Sequence, residues 1–123
     1  IMVYGYIPLM ISVQCLQKTL ERCNRQCAVL TVKDRYQKEF HAVCNCEFCY
    51  NTIYNSLPLS LLGDANQVRS LETGGYRLSF TLEKEEETRR IAREFAEVYC
   101  EGKESKQKFL GETTKGHFSR GVE

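Results

Sequence analysis

The apolar positions in the first third of the chain form short clusters separated by polar segments. Residues 2–13 (MVYGYIPLMISV) are a nearly continuous apolar run, too short and too broken for a globular helix, so we predict a strand buried on both faces. Residues 15–27 are polar and predict a loop with at most one helical turn. Residues 28–33 and 40–43 are short β-prone segments on either side of DRYQKE, which predicts a β-hairpin.

The middle of the chain predicts a strand followed by a helix. Residues 52–55 have the composition of a strand. Pro58 suits the first turn of a helix, and three of the next four residues are leucines. Asp64 can cap a continuation of this helix, and Gly74-Gly75 supply the backbone freedom that a helix C-terminus uses. We therefore predict a helix that begins near residue 58 and ends at the glycine pair.

Two further elements follow with clear periodicity. In residues 76–82 apolar and polar side chains alternate, which predicts a strand with one apolar face. Residues 83–100 have helical spacing of their apolar positions, three acidic residues in the first turn and a glycine after the end. The apolar stripe of this predicted helix contains Ile91, Phe95 and Val98.

The order strand, helix, strand, helix over residues 51–101 is typical of parallel β-α units. Because only one face of residues 76–82 is apolar, the other face fits the lumen of an α/β barrel. The fold class predicted is α/β, the C-terminal part of a TIM-like barrel that carries a cysteine-bearing loop and a β-hairpin insertion at residues 15–50. This partial barrel would span residues 1–101, and residues 102–123 would be a polar tail with the motif TTKGHFSRGVE.

Composition narrows the classes of protein. The chain has 123 residues, enough for one domain with its own core, and 17 Lys and Arg residues oppose 16 Asp and Glu residues, so no global field attracts nucleic acid or lipid. The first residues resemble neither a signal peptide nor a membrane span. We expect a cytoplasmic protein without a membrane partner. The chain begins with Ile1 rather than Met, and we expect it to be a piece of a longer protein.

Seven cysteines carry the candidate chemistry. An odd number cannot close into disulfides within one chain, so we predict reduced thiols. Five cysteines form two groups on either side of the predicted hairpin, a layout that suits zinc or an iron-sulfur cluster, and their spacing alone does not choose between the two. The competing interpretation is that they are small buried hydrophobic residues, which we prefer for Cys100. Cys44 is left unassigned. The five candidate ligands are Cys15, Cys23, Cys27, Cys46 and Cys49.

Four segments taken together resemble a known family. They are YGYIPLMISVQC, LTVKDRYQKEF, CEFCYNTIYNSLPL and TTKGHFSRGVE, and in this order they look like the C-terminal half of peptidase family U32, the collagenase-like peptidases. The resemblance covers nearly the whole chain. It implies an α/β barrel whose upstream half is missing here, and a parent protein classed as a protease. Other similar proteins hold a four-iron, four-sulfur cluster on four cysteines and act in hydroxylating RNA bases or a quinone precursor.

The resemblance also implies roles for individual cysteines. Cys15, Cys23, Cys27 and Cys49 match the cysteine pattern of the family, and Cys46 is the alternate fourth ligand. The cofactor implied is therefore a four-iron, four-sulfur cluster, with zinc as the alternative from spacing. A third interpretation, independent of the family, is a non-catalytic zinc-stabilised interaction module.

Candidate residues for substrate binding lie near the C-terminus. Lys115, His117 and Arg120 lie in a glycine-punctuated polar loop that could hold a carboxylate or a phosphate, although a solvated tail explains them equally well. The chain contains no Ser-His-Asp order, HExxH or GxSxG motif, so the catalytic residues are unknown. We expect the chain alone to be inactive, with the missing upstream half as its partner. A peptide and an RNA are the two substrate classes, and half a barrel with an exposed edge predicts a homodimer.

Overall fold

The fold is described from a computed structural model, for residues 1–21, 23–104 and 111–119. The chain divides into two compact units. Unit 1 consists of Ile1–Tyr6 and Leu57–Glu123, and unit 2 consists of the intervening Ile7–Ser56. The helices and strands, in chain order, are β1 (Met2–Gly5), β2 (Pro8–Ser12), α1 (Leu16–Thr19), β3 (Ala28–Lys33), β4 (Glu39–Asn45), β5 (Tyr50–Tyr54), β6 (Leu59–Ser60), α2 (Ala65–Arg69), β7 (Arg77–Ser79) and α3 (Glu85–Tyr99).

Unit 1 packs helices against a small mixed sheet. Its three strands have the order β6-β1-β7, in which β1 runs antiparallel to β6 and parallel to β7. Gly5 lies where β1 passes β7 most closely, since a Cβ atom there would collide with the carbonyl oxygen of Ser79. Helix α3 follows its predicted period and buries one stripe of side chains. The largest buried side chains of the unit include Leu61, Leu62, Ile91 and Phe95.

Unit 2 is a four-stranded antiparallel sheet. The strand order is β2-β5-β4-β3, so β2 and β3 are its edges. The turn of the β3-β4 hairpin is held by the Asp34 carboxylate, which accepts hydrogen bonds from the backbone N–H groups of Tyr36 (2.8 Å) and Lys38 (2.9 Å). Three residues of edge strand β2 expose more than half of their apolar side chains: Leu9, Met10 and Ile11.

The prediction of a TIM-like α/β barrel is wrong. Residues 2–13 are not one buried strand, because the chain leaves the first sheet after Gly5 and forms β2 in the second sheet, where β2 is exposed. Strands β5 and β7, which we expected to be parallel neighbours, also belong to different sheets. Within the described residues the fold is two small sheets with seven strands and few helices, and neither sheet closes into a barrel.

The predicted helix after Pro58 is a second error. Residues 59–60 form β6, which pairs with β1, and the Leu61 N–H donates to the Val3 carbonyl oxygen at 2.9 Å. Strand partners therefore satisfy the backbone groups that a helix would have used, and tertiary pairing overrides the helix propensity of leucine. Helical structure begins only with a short 3₁₀ turn at Leu62–Asp64, and α2 ends at Arg69, before the glycine pair.

Three local predictions are confirmed. The β3-β4 hairpin forms in antiparallel register, a single helical turn follows Cys15, and α3 occupies most of residues 83–100. Each of these elements is specified by residues close in sequence. Among the described residues, no helix has both the length and the apolar character that crossing a bilayer requires.

Candidate metal site

Cys15 is buried and immediately precedes α1. The backbone on either side of Cys15 is held by Asn51 of β5, a side chain with no solvent exposure. The side-chain oxygen of Asn51 accepts a hydrogen bond from the Leu16 N–H at 3.4 Å. The side-chain nitrogen of Asn51 donates to the backbone carbonyl oxygens of Gln14 (2.6 Å) and Ser12 (3.4 Å). These hydrogen bonds attach the connection from β2 to α1 to the inner strand β5, and they fix the position of Cys15.

Cys46 and Cys49 belong to the tight turn that joins β4 to β5. The two strands pair up to Asn45 and Tyr50, so the register of the sheet fixes the turn. Cys49 has a left-handed backbone conformation, with φ of 54°, which few non-glycine residues adopt. Both thiols therefore come from one short, sharply bent segment at the end of a hairpin.

Cys23 and Cys27 are exposed residues in the loop between α1 and β3. This loop contacts the turn of the second cysteine group through Gln26, whose carbonyl oxygen accepts from the Cys46 thiol at 2.8 Å. The side-chain amide of Gln17 donates to the same carbonyl oxygen at 3.3 Å, and its oxygen lies 3.5 Å from the Cys46 sulfur. Hydrogen bonds thus join the two cysteine groups that the sequence separates.

Four of the five candidate cysteines line one cavity of about 500 Å³. A second cavity, of about 410 Å³, shares three of the residues around the first: Cys15, Lys18 and Cys49. The cavity lining thus brings together cysteines from three segments of unit 2, together with two cations and one carboxylate. The residues around the 500 Å³ cavity are Cys15, Lys18, Cys23, Arg25, Cys46, Glu47 and Cys49.

The thiols influence one another electrostatically. Burial raises the pKa of Cys46, and the nearby thiols of Cys27, Cys15 and Cys23 raise it further. Burial likewise raises the pKa of Cys44, as does the Cys15 thiol, whereas a hydrogen bond from the Gln17 backbone lowers it. Cys27, which is outside the cavity lining, is therefore close enough to affect the same group of sulfur atoms.

The donor chemistry of this group fits the predicted metals. Thiolates are the preferred ligands of structural zinc and of iron-sulfur clusters, and each of these sites uses about four. Among the described residues, no group of three or more His, Cys, Asp or Glu side chains is arranged to hold a metal ion. Cys44 lies fully buried in β4. Cys100 is exposed at the end of α3 in unit 1, so its interpretation as a small buried hydrophobic residue is wrong.

The candidate substrate-binding residues lie in unit 1, apart from the cysteines in the chain. Lys115 forms an ion pair with Asp64, with 2.9 Å between the ammonium nitrogen and the carboxylate oxygen. The segment before it is fixed to β6, since the Thr114 carbonyl oxygen accepts from the Ser60 N–H at 2.9 Å. His117 lies in the exposed turn that follows. Arg120 lies outside the described residues.

Sequence reasoning missed two polar residues of the site, Gln17 and Asn51. The position of Asn51 had a usable signal, because a tight turn at residues 46–49 places Asn51 opposite Cys44, on the inner face of the sheet. Gln17 had none, since its partners Gln26 and Cys46 depend on how the loop folds back over the sheet.

Comparison with family models, curated proteins and solved structures finds no match to this chain. The site is therefore interpreted from its own residues and geometry.

Proposed function

We propose that unit 2 is a thiolate-ligated metal module that holds a four-iron, four-sulfur cluster. One observation carries this proposal: four candidate cysteines from three separate segments line one cavity. The proposed ligands are Cys15, Cys23, Cys27 and Cys49, with Cys46 as the alternative to Cys49. Of these, Cys15, Cys23, Cys46 and Cys49 line the cavity, and Cys27 is assigned from the family pattern and from its effect on the pKa of Cys46.

The composition of the interior supports a bound metal. Among the residues of unit 2 that the structure describes, the buried apolar ones are Cys15, Ala42 and Cys44. A unit of about 50 residues rarely folds on so little apolar burial, and small proteins of this kind are commonly stabilised by a metal or by disulfides. The cysteines of unit 2 are free thiols, as metal ligation needs.

Geometry favours a cluster over a single zinc ion. Tetrahedral zinc with Zn–S bonds of about 2.3 Å brings its sulfur ligands to within about 4 Å of one another. In unit 2 four cysteines line a cavity of about 500 Å³, which is larger than one zinc ion needs. A cluster has several metal atoms and therefore needs its four ligands farther apart. Lys18 and Arg25 at the same cavity would offset the negative charge of a thiolate-ligated cluster.

The proposed cluster bears on the activity of the parent protein. The first alternative in the resemblance is a collagenase-like peptidase, and the second is an iron-sulfur protein that acts in RNA-base or quinone-precursor hydroxylation. We favour the second alternative, because the proposal above assigns the clustered thiols as ligands. A cysteine peptidase would instead need one of these thiols as its nucleophile. A zinc-stabilised interaction module is the third alternative.

Reconstitution with iron and sulfide under anaerobic conditions tests the metal proposal. We expect the unmodified chain to turn brown and to bind about four iron and four sulfide per chain. Cys23→Ser and Cys49→Ser should lose most of this iron, whereas Cys100→Ser, in the other unit, should retain it. Iron binding by the two variants equal to that of the unmodified chain would show that the ligand assignment is wrong.

Two further measurements separate the alternatives. A colourless protein with one zinc per chain would support the interaction module. Cleavage of gelatin by the purified chain, surviving metal removal and abolished by His117→Ala, would support the peptidase instead. We expect no cleavage, because the chain lacks a recognisable nucleophile-base motif.

A further inference from the structure

The side chain of Gln17 lies between the two cysteine groups of unit 2 and contacts both. Its amide nitrogen donates to the Gln26 carbonyl oxygen at 3.3 Å, one residue before Cys27. Its amide oxygen lies 3.5 Å from the Cys46 sulfur, and the same thiol donates to the Gln26 carbonyl oxygen at 2.8 Å. Two hydrogen bonds to the Gln26 carbonyl oxygen and one polar contact between Gln17 and Cys46 thus link α1, the loop and the turn.

The backbone of Gln17 extends this network to two more cysteines. Gln17 is the second residue of α1 and follows Cys15 by two positions. Burial raises the pKa of Cys44, and a hydrogen bond from the backbone of Gln17 lowers it. One residue therefore connects the helix, the loop, the strand and the turn that carry the thiols of unit 2.

The burial of Gln17 is unusual for its residue type. The side chain is 5% exposed, in a unit whose buried apolar residues are few. Glutamine is mostly found at protein surfaces, and burying it costs both hydration and rotamer entropy. Its two polar ends are satisfied here only because the loop and the turn approach each other at this point.

We propose that Gln17 is a positioning residue of the metal site: its amide fixes the spacing between the two cysteine groups and contacts the sulfur of Cys46 from outside the coordination shell. This inference rests on the proposed metal function. Outer hydrogen bonds of this kind orient metal ligands, and those to cluster sulfur atoms also shift the reduction potential. A metal-bound thiolate has no proton to donate, so when Cys46 is a ligand the donor available from Gln17 is the second N–H of its amide, beside the one that donates to Gln26.

The test compares iron release from the full chain after anaerobic reconstitution with iron and sulfide. Gln17→Met keeps the length of the side chain and removes both hydrogen bonds. We expect its iron to be lost to a chelator about 10- to 100-fold faster, the usual effect of removing an outer-shell partner. The control is Gln67→Met, an exposed position on α2 in unit 1, which should release iron at the unmodified rate.

A spectroscopic measurement distinguishes positioning from general destabilisation. If Gln17 contacts a cluster ligand, Gln17→Met should also change the reduction potential and the iron–sulfur vibrations of the cluster that remains. Equal release rates, potentials and vibrations for Gln17→Met and the unmodified chain would overturn the inference. If Gln17→Met does not fold, Gln17→Glu, which keeps the size and one acceptor, replaces it under the same criteria. A lack of iron in the unmodified chain would refute the proposed function first, and the role of Gln17 with it.

Discussion

The two units of this protein bury side chains of different chemical character. Unit 1 encloses large aliphatic and aromatic side chains, and Phe95 stacks on Tyr99 with 5.8 Å between ring centroids and 3° between their planes. Unit 2 encloses two cysteines, one alanine and the amides of Gln17 and Asn51. The first interior is stabilised by removing apolar surface from water, and the second by hydrogen bonds among polar groups.

This difference concerns what stabilises each unit. An apolar core stabilises a fold without any ligand, as in unit 1. A polar interior with free thiols contributes much less, because each hydrogen bond replaces one that water would have made. We therefore predict that a metal or a covering partner stabilises unit 2, whose edge strand β2 has apolar side chains that a second copy could cover. The homodimer stays a prediction, although its original basis in a half barrel is wrong.

The largest expected effect is the response of unit 2 to metal removal. If a cluster holds the three cysteine segments, a strong chelator should remove amide protection from β3, β4 and β5 while α3 keeps its protection. Hydrogen exchange followed by mass spectrometry measures both units in one sample. Equal protection of unit 2 with and without metal would mean that its sheet is stable without a metal. The two units would then not differ in their need for a metal.

The next effect concerns the apolar core of unit 1. Phe95 is 2% exposed, so Phe95→Ala should create a cavity and lower the free energy of unfolding of unit 1 by about 3 to 5 kcal/mol. Urea unfolding followed by tyrosine fluorescence measures the change. Phe48→Ala is the matched control, because Phe48 is 69% exposed and its loss should cost under about 0.5 kcal/mol. Similar costs at the two positions would contradict the assigned core.

Local elements of this fold could be predicted from the sequence, and the pairing of strands could not. Helix α3 is specified by apolar residues three and four positions apart, and the β3-β4 hairpin joins segments that are neighbours in the chain. The barrel prediction failed at Gly5, because an apolar run does not show that the chain changes sheets there. Pairing of β1 with β7 joins residues more than 70 positions apart, and no local pattern encodes it.

The candidate site shows the same division. The spacing of the cysteines indicated a common group, and four of the five candidates do line one cavity. The residues that hold the group together were not predictable in the same way. Gln17 looks like any polar residue of a short helix, and its role becomes visible only when the loop at Gln26 and the turn at Cys46 are placed in space.

A smaller effect on stability is expected from replacing Asn51, and this change tests whether hydrogen bonds stabilise the interior of unit 2. Asn51→Ala leaves three backbone groups around Cys15 without their partner, so we expect unit 2 to lose about 2 kcal/mol of stability. Hydrogen exchange at β5 measures the loss, and Thr52→Ala, half-exposed on the other face, is the control. An unchanged exchange rate in Asn51→Ala would show that water replaces the amide, and that the polar interior of unit 2 is not what holds it.

The smallest expected effect is the alkaline sensitivity of unit 1. The Tyr99 hydroxyl donates to the Leu61 carbonyl oxygen at 2.8 Å, and burial raises the pKa of Tyr99 to about 12. An unfolded tyrosine has a pKa of about 10, so between about pH 10 and pH 12 the unfolded chain loses a proton that the folded chain keeps. Stability from this group is complete below pH 10 and falls as the pH rises toward 12.

Tyr99→Phe tests this assignment by comparing two pH profiles of urea unfolding. The variant should lose about 1 kcal/mol at neutral pH, because the Leu61 carbonyl loses its donor. Above pH 10 it should lose less additional stability than the unmodified protein. The remaining slope comes from other groups, including Tyr4, whose pKa is raised by burial and by its hydrogen bond to Glu83. Tyr36→Phe, at a position 73% exposed, should leave the profile unchanged. If Tyr99→Phe and the unmodified protein have parallel profiles above pH 10, the Tyr99 hydroxyl does not keep its proton in the folded state.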